Sequence, residues 1–469
     1  MRYSFSLLGI GMLFLVLISC EAEKKVFYDT LLKGGNIINL EDGSVVVGDI
    51  YISDGQIAKV SYDKADENST AKNVVDATGK FILPGFWDNH VHFRGGDSLI
   101  EANKRFLGLF IANGITTVRD AGGDLTTAVM QWKKAIENDD MVGPTIFTSG
   151  PKIDGPGGTW AGSLEVENEA DIEEALDSLE AIPTDFVKIY DSKISEENYL
   201  NTIRAVEKRG LITSGHMPFT ATLESTIDAG VDAVEHLYYI MKGCSSQEDV
   251  VTEQLQDNKI GFWDAMPILQ STYDDSVAKQ TFEHLKQKNV FVVPTLHIGN
   301  TLSYMDEVDH SEDAYLRYMS PGIVKTYEGR INRAKNASEK AIQDRKVLDT
   351  FFKKLALTLN QNEVSLLAGS DSGAFNSYIY PGISLHKEME AMVDTGISPL
   401  DALKASAYNG AKFLKQTSDY GTLESGKVAD IVILDNNPLK NIKNTRNIFM
   451  VLKHGEKFTK ESLEQIITN

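Results

Sequence analysis

The sequence predicts an α/β protein: a (β/α)8 TIM-like barrel joined to a small composite β-sandwich formed by both ends of the mature chain. Three observations point there. The chain has 469 residues, 42% of them hydrophobic, which exceeds one average domain and suffices for a barrel plus an accessory unit. A middle stretch, 81–414, alternates short apolar runs with helical segments, the βαβ pattern of a parallel sheet. Two β-rich ends, 20–80 and 415–469, flank it.

Residues 1–19 read as a signal peptide. Arg2 precedes an apolar stretch over 5–18, shorter than the roughly 20 residues a membrane-spanning helix needs. Its ending, Leu17-Ile18-Ser19-Cys20, resembles a bacterial lipobox. That resemblance implies cleavage before Cys20, acylation of the cysteine and an exported protein anchored at the bacterial cell envelope by lipid alone. A plain secretory signal with a coincidental cysteine is the alternative. The other cysteine, Cys244, reads as an ordinary thiol, so no disulfide framework is expected.

Past a polar link come the runs Thr30-Leu31-Leu32, Asn36-Ile37-Ile38-Asn39-Leu40, Ser44-Val45-Val46-Val47, Asp49-Ile50-Tyr51-Ile52 and Gln56-Ile57-Ala58-Lys59-Val60. Gly34-Gly35, Asp42-Gly43 and Asp54-Gly55 supply turn signals, so the segment reads as antiparallel hairpins. The far end repeats this grammar in 429–434 and 448–453, joined through Asp435-Asn436-Asn437-Pro438. Eight barrel strands are expected at 86–92, 115–120, 145–148, 186–190, 212–216, 233–236, 291–296 and 365–371. The segments 237–289 and 297–363 are too long for simple connections. They read as charged helices that cover the barrel mouth.

Charge excludes one class of partner. Lys and Arg total 46 against 67 Asp and Glu, a net charge of -21 that repels phosphate backbones, so nucleic acid is not expected. A small-molecule partner fits better, with oligomeric state left open.

The sharpest local signal is Leu83-Pro84-Gly85-Phe86-Trp87-Asp88-Asn89-His90-Val91-His92. On a strand, residues i and i+2 share a face, so His90 and His92 project together and two imidazoles can grip one metal. Other ligand types close other strands: Lys188 in Phe186-Val187-Lys188-Ile189-Tyr190, His216 after Ser214-Gly215, His236 after Val234-Glu235, and Asp371 after Gly369-Ser370. A barrel collects functional groups at the C-terminal ends of its strands. A capping Asp, a snorkelling Lys or a core His explains any one of them; five strand ends together are harder to dismiss.

This set resembles the amidohydrolase superfamily, in its imidazolonepropionase-like and prolidase-like branch. The resemblance runs through Leu83-Pro84-Gly85 and His-x-His, Asn113-Gly114-Ile115-Thr116-Thr117-Val118-Arg119-Asp120, Asp185-Phe186-Val187-Lys188, Gly215-His216-Met217-Pro218, Val234-Glu235-His236-Leu237, Gly369-Ser370-Asp371-Ser372-Gly373 and Gly421-Thr422-Leu423-Glu424-Ser425-Gly426-Lys427-Val428-Ala429-Asp430. It implies that His90 and His92 hold a buried metal and His216 and His236 a more exposed one. Lys188, carboxylated by carbon dioxide, would bridge them as a carbamate. Imidazole and carboxylate-like oxygen suit zinc foremost among divalent ions. Such ions lower the pKa of a water and polarise a carbonyl, while Asp371 would serve as metal ligand and catalytic base, then acid toward the leaving nitrogen. Some members work with one ion held by His-x-His, a third histidine and Asp371, in which case Lys188 is structural or touches substrate.

The resemblance thus implies hydrolysis of a carbon–nitrogen bond in an amide, a cyclic amide or a small peptide, with dipeptides a subclass. The alternative is a surface-binding lipoprotein that keeps the barrel without catalysis; none of the ligand positions is substituted, which favours the enzyme. Tyr190, Tyr238 and His297, at or just past strand ends, are candidate substrate contacts, as is the loop Gly155-Pro156-Gly157-Gly158-Thr159-Trp160. Arg94 and Arg119 either anchor a substrate carboxylate or pair with acids such as Asp120. Two decoys are set aside. Gly421 to Val428 has phosphate-loop spacing but Val428 where Ser or Thr is needed, so it reads as a turn. His386 sits on a helix whose Leu385, Met389 and Met392 share a face, so it reads as structural.

Overall fold

The computed structural model describes residues 26–62 and 69–468. The expected signal peptide, 1–19, and the expected lipidation site Cys20 lie outside the described residues. Cys244 is free and buried, as an ordinary thiol should be.

Both chain ends enter one eight-stranded sheet. Strand Val26–Ile38 pairs antiparallel with Val45–Ser53, which pairs with Gln56–Ser61; Ser69–Asp76 and Phe81–Pro84 run parallel to its first and second halves. Phe81–Pro84 then receives the C-terminal strand Ile431–Leu434, followed by Ile448–Lys453 and Glu456–Thr459. The continuous apolar run Ile431-Val432-Ile433-Leu434 is explained by burial on both faces. Ile431 and Ile433 enter the core of this sheet with Leu32, Ile50 and Ile82, while Val432 and Leu434 enter the main core with Leu83 and Phe86.

Two local expectations change. Gly34-Gly35 is not a turn: the strand continues through a bulge between Leu32 and Gly35, with Gly34 at φ 69. The Gly34 N–H, displaced from the ladder, donates to Asp49 Oδ1 at 2.7 Å, which is how the extra residue is accommodated. The runs on either side of Gly48 likewise merge, because Gly48 stays in register opposite Gly35. The chain also ends in an unforeseen helix, Lys460–Thr468, whose Leu463 joins Ile111, Val451 and Phe458 in a small apolar cluster.

The middle of the chain is α/β, with parallel strands consistent with a TIM-like barrel. One parallel sheet holds Phe86–Val91, Ile115–Asp120 and Thr145–Thr148; another holds Val187–Ile189, Thr213–Gly215, Ala233–Glu235 and Phe291–Val293, edged by the short Ile153–Asp154 and Leu164–Glu165. Seven of the eight expected strands therefore have counterparts. The eighth, at 365–371, forms no extended ladder and is held by single parallel bridges, Leu366 to Val292 and Ser372 to Val91. Backbone hydrogen bonds Asn89 N to Ala368 O, 3.0 Å, and Asp371 N to His90 O, 2.7 Å, tie it to the first strand. Between the two bridges Asp371 leaves the extended region, at φ 56.

The two long segments are helical as expected: Leu237–Gly243, Glu248–Gln256, Phe262–Ser271 and Asp275–Gln287, then Leu296–Ser303 through Glu339–Gln361. Helix Ile383–Asp394 buries Leu385, Met389 and Met392 completely. His386 there bonds Thr445 Oγ1 and Asn113 O, each at 2.9 Å, a structural role. Gly421 to Val428 is irregular and hydrogen-bonds to Ile57 through Gly426 and Lys427, with no helix following it.

Candidate metal centre and cavity

The strand ends converge. His90 Nε2 lies 3.2 Å from His92 Nε2 and 3.7 Å from Asp371 Oδ1, and His92 Nε2 is 3.2 Å from the same oxygen. One ligand atom each from His90, His236 and Asp371 falls within 4.8 Å of the others. The His216 ring centroid is 4.8 Å from that of His236, which is 5.2 Å from that of His90.

Each of the four histidines is oriented by a partner on Nδ1. Glu235 Oε2 takes His90 at 2.6 Å, the Gly122 carbonyl takes His92 at 2.8 Å, Asp191 Oδ1 takes His216 at 3.1 Å, and Thr295 Oγ1 meets His236 at 2.7 Å. Nε2 of each is thereby left for another task, the arrangement by which metal-bound histidines have tautomer and direction fixed. The spacings also fit an ion. Bonds of about 2.0–2.1 Å in a tetrahedron separate ligand atoms by about 3.3 Å, close to the contacts seen among His90, His92 and Asp371.

Backbone strain marks the same place. His236, Thr295 and Asp371 have φ of 69, 48 and 56, a left-handed region that non-glycine residues rarely occupy. His236 directly follows its strand, Thr295 lies two residues past Phe291–Val293, and Asp371 closes the bridged eighth segment, where Asn376 Nδ2 pins it by bonding its Oδ1 at 2.7 Å.

Lys188 reaches the cluster from below. It is 1% exposed, its Nζ has no hydrogen-bond partner, and Glu235 Oε1 stands off at 3.4 Å. Burial pushes its proton affinity down to about 8, against the pull of Glu235. Burial likewise keeps His90, His92 and His236 below the usual histidine range. Burial opposes ionisation of Asp371, but the hydrogen bond from His92 and the nearby His90 and His236 outweigh it, so its carboxyl is held well below the ordinary value.

Glu235, whose role the sequence did not disclose, is the hub beneath these ligands. Besides His90 it engages Arg119 Nη2, with Oε1 at 3.0 Å, and receives the Ser214 hydroxyl. Burial works against its charge, yet Arg119, Lys188 and His90 together hold it well below the usual carboxylate range. Arg119 is thus an ion-pair residue, although its partner is Glu235 rather than Asp120. Neighbouring residues on a strand face opposite ways, and Asp120 instead accepts from Thr148 Oγ1 at 2.8 Å. Arg94 gives Nε to Ala374 O at 2.9 Å and lays its guanidinium 4.2 Å from the Trp160 ring centroid, so it too is committed.

Above the cluster opens a cavity of about 720 Å³, lined by Asp371, His216 and His236 at its base. Tyr190 and Tyr238 line it as expected, and Thr159 brings the loop after the third strand to its rim. His297 does not line it. Helix Leu296–Ser303 turns Ile298, Gly299, Leu302 and Ser303 toward the cavity, and at 3.6 residues per turn His297 faces another side, beside Lys387, His310 and Asp313. Burial lowers its pKa to about 4.

Comparisons agree with this picture. A local stretch is 37% identical over 90 residues to adenine deaminase of Listeria welshimeri, covering 19% of this chain and 14% of that protein. Another is 34% identical over 110 residues to dihydroorotase of Carboxydothermus hydrogenoformans, covering 22% of this chain and 25% of that protein. The chain thus spans only a small part of the curated relatives it matches. The crystal structure of a Xaa-Pro dipeptidase with bound methionine matches over 92% of this chain and 99% of its own, with a TM-score of 0.69 at 18% identity, a likeness of fold. The model of the amidohydrolase family matches residues 81–457, a span that holds every converging ligand described above, and the chain belongs to that family.

Proposed function

We propose that this protein is a metal-dependent amidohydrolase that uses water to cleave a carbon–nitrogen bond in a small amide, cyclic amide or peptide. The observation that carries the reading is the set of four clustered histidines, each held at Nδ1, with Nε2 of His90 and His92 at 3.7 and 3.2 Å from Asp371 and His236 grouped with them. The donor set suits one or two divalent ions, zinc foremost. When bound, the metal lowers the pKa of a water and polarises the substrate carbonyl.

The chain's own residues supply the rest. Asp371 accepts the attacking water's proton at its carboxylate and returns a proton to the leaving nitrogen, so that a C–O bond forms as the C–N bond breaks. Asn376 holds that carboxylate in place. Tyr190 and Tyr238 wall the space a substrate occupies.

We infer a binuclear arrangement in which Lys188 is carboxylated. Its buried Nζ, held only by the 3.4 Å ion pair to Glu235, supports this, and Arg119 beside Glu235 offsets the repulsion a carbamate would meet there. The hydrogen bonds that join segment 365–372 to strands on either side support a complete (β/α)8 barrel over about 81–414, with 20–80 and 415–469 as the composite β unit. The lipobox-like Leu17-Ile18-Ser19-Cys20 supports a lipid-anchored enzyme of the cell envelope. Fatty-acid labelling that disappears in Cys20→Ala tests the anchor.

Metal analysis of the purified protein, with a screen of N-acyl amino acids, dipeptides and cyclic ureides, tests the function. Bound divalent metal and turnover abolished by chelation and by Asp371→Asn are expected. Protein that takes up no metal and hydrolyses none of these classes overturns the reading.

A further inference from the structure

The wall of the cavity holds three arginines that the reaction does not use. Arg330 and Arg333 lie one turn apart on helix Glu328–Lys335, and Arg345 projects from helix Glu339–Gln361; all three line the cavity. Among the described residues none of the three has an ion-pair or side-chain hydrogen-bond partner, and Arg345 Nε is buried without one. The acids of the same wall are already engaged. Asp191 serves His216 and Tyr239, Asp349 serves Asn300 and Lys353, and Asp371 belongs to the metal cluster.

What sets these three apart is that they share the wall of one cavity. With 67 acidic residues to 46 basic ones, carboxylates are abundant, and an exterior arginine such as Arg209 gathers three of them. Three guanidinium groups without acidic partners line one concavity, and each offers five donors to an anion that enters it. Arg330 is the inner one: Asp371, Tyr238 and Tyr190 are its electrostatic neighbours, and burial lowers its pKa while the Asp371 charge opposes that shift. Arg333 and Arg345 offer a second contact in the same cavity. Tyr238, Phe262 and Phe352, with ring centroids 5.5 and 4.9 Å from Tyr238, supply an apolar wall between charges.

We propose that this arginine triad selects substrates whose leaving group is an acidic amino acid, so that Arg330 binds the α-carboxylate while Arg345 and Arg333 bind the side-chain carboxylate. The substrate class is N-acyl or short peptidyl derivatives of glutamate or aspartate. The proposal rests on the amidohydrolase reading for the reaction and adds the dianion as its selectivity. Cleavage adds water across the amide, freeing the acyl carboxylate and the amine of the acidic residue.

The test uses the full chain loaded with metal and substrates matched in shape. N-acetyl-L-glutamate is set against N-acetyl-L-glutamine, and Ala-Glu against Ala-Gln, with kcat/KM read for each. A preference of at least tenfold for the acidic member is expected, falling below threefold in Arg345→Met and in Arg333→Gln, each variant checked for an unchanged melting temperature. Arg333 is exposed, so its variant remains informative where Arg345→Met fails to fold. Calorimetric titration with glutarate and butyrate gives a readout without turnover. Glutarate should bind at least tenfold more tightly, with the gap shrinking at high salt. Equal binding of the two acids, or equal rates on the acidic and amide members, overturns the proposal while leaving a hydrolase of neutral amides standing. Selective glutarate binding with no hydrolysis of any tested bond would uphold the dianion site and overturn the hydrolase reading.

Discussion

Replacing Glu235 by glutamine should damage the protein twice, in stability and in metal affinity. Its carboxylate is fully buried and lies between Arg119, Lys188, Ser214 and His90. With Glu235 ionised the three charged groups sum to one positive charge; with glutamine two cations remain buried and unopposed. Breaking a buried pair in this way costs about 3–5 kcal/mol. For a chain of this size the unfolding entropy is about 0.9 kcal/mol/K, so the metal-free protein should melt roughly 4 °C lower. Glutamine also turns one donor toward Arg119 or Lys188 and weakens the hold on His90 Nδ1, a loss that lowers metal affinity by about 10–100-fold. Differential scanning calorimetry of the metal-free protein and competition against a chromophoric zinc chelator measure the two effects separately. Glu235→Gln with wild-type melting and zinc affinity within twofold of wild type would falsify the assignment of Glu235 as the hub.

Three other perturbations probe the same cluster. Lys188→Ala should lose bound metal and turnover together, and full retention of both would remove the carbamate from the mechanism. Gly369→Ala should destabilise by about 1–3 kcal/mol and weaken metal binding. The added Cβ would lie 2.6 Å from His90 Cβ and 3.0 Å from Val293 Cγ1, so neither side can yield without moving a ligand strand; an unperturbed variant contradicts that packing. Stability of the metal-free protein should fall steadily from pH 7.5 to 5. His90, His92, His236, His297 and His386 are all held below the ordinary histidine value, so the unfolded chain takes up their protons once pH drops below about 6.5, and they outnumber the buried carboxyls that oppose the slope, Asp88 and Glu388, raised to about 7, and Asp120, raised to about 6. Glu235 and Asp371, whose values are depressed, extend the same loss below about pH 4. A melting temperature that stays flat from pH 7.5 to 5 contradicts this.

Strand order and the convergence of the candidate ligands were legible because both rest on short-range grammar. A run such as Phe186-Val187-Lys188-Ile189 declares a buried strand, and a strand's alternation places His90 and His92 together without knowledge of any partner. The bulge at Gly34-Gly35 was misread for the same reason. A Gly-Gly pair admits a turn or a bulge equally, and the choice is made by Asp49, fifteen positions away, whose carboxylate satisfies the displaced N–H. The eighth barrel segment was recognised by its composition, yet its irregularity goes with a close approach of Gly369 to His90 and with the left-handed Asp371. Neither is a property of residues 365–371 taken alone.

The site shows a sharper division between what lies along the chain and what lies across it. Six ligand candidates were readable because each sits at the end of a strand, but the groups that aim them were not. One Nδ1 partner is the carbonyl of Gly122, which any residue at that position would carry. Another is Thr295, which reaches His236 only because its backbone adopts φ 48. Arg119 was visible as a cation beside Asp120, and only the opposed faces of a strand send it to Glu235 instead. The arginines of the cavity wall belong to helices that read, in sequence, simply as charged. What distinguishes Arg330, Arg333 and Arg345 from other surface arginines is that they meet, without ion-pair partners, on the wall of one cavity, and the meeting of separate helices leaves no mark on a linear chain. The convergence of candidate ligands therefore follows from spacing, whereas their orientation and the proposed selection of substrate charge follow from contacts between elements.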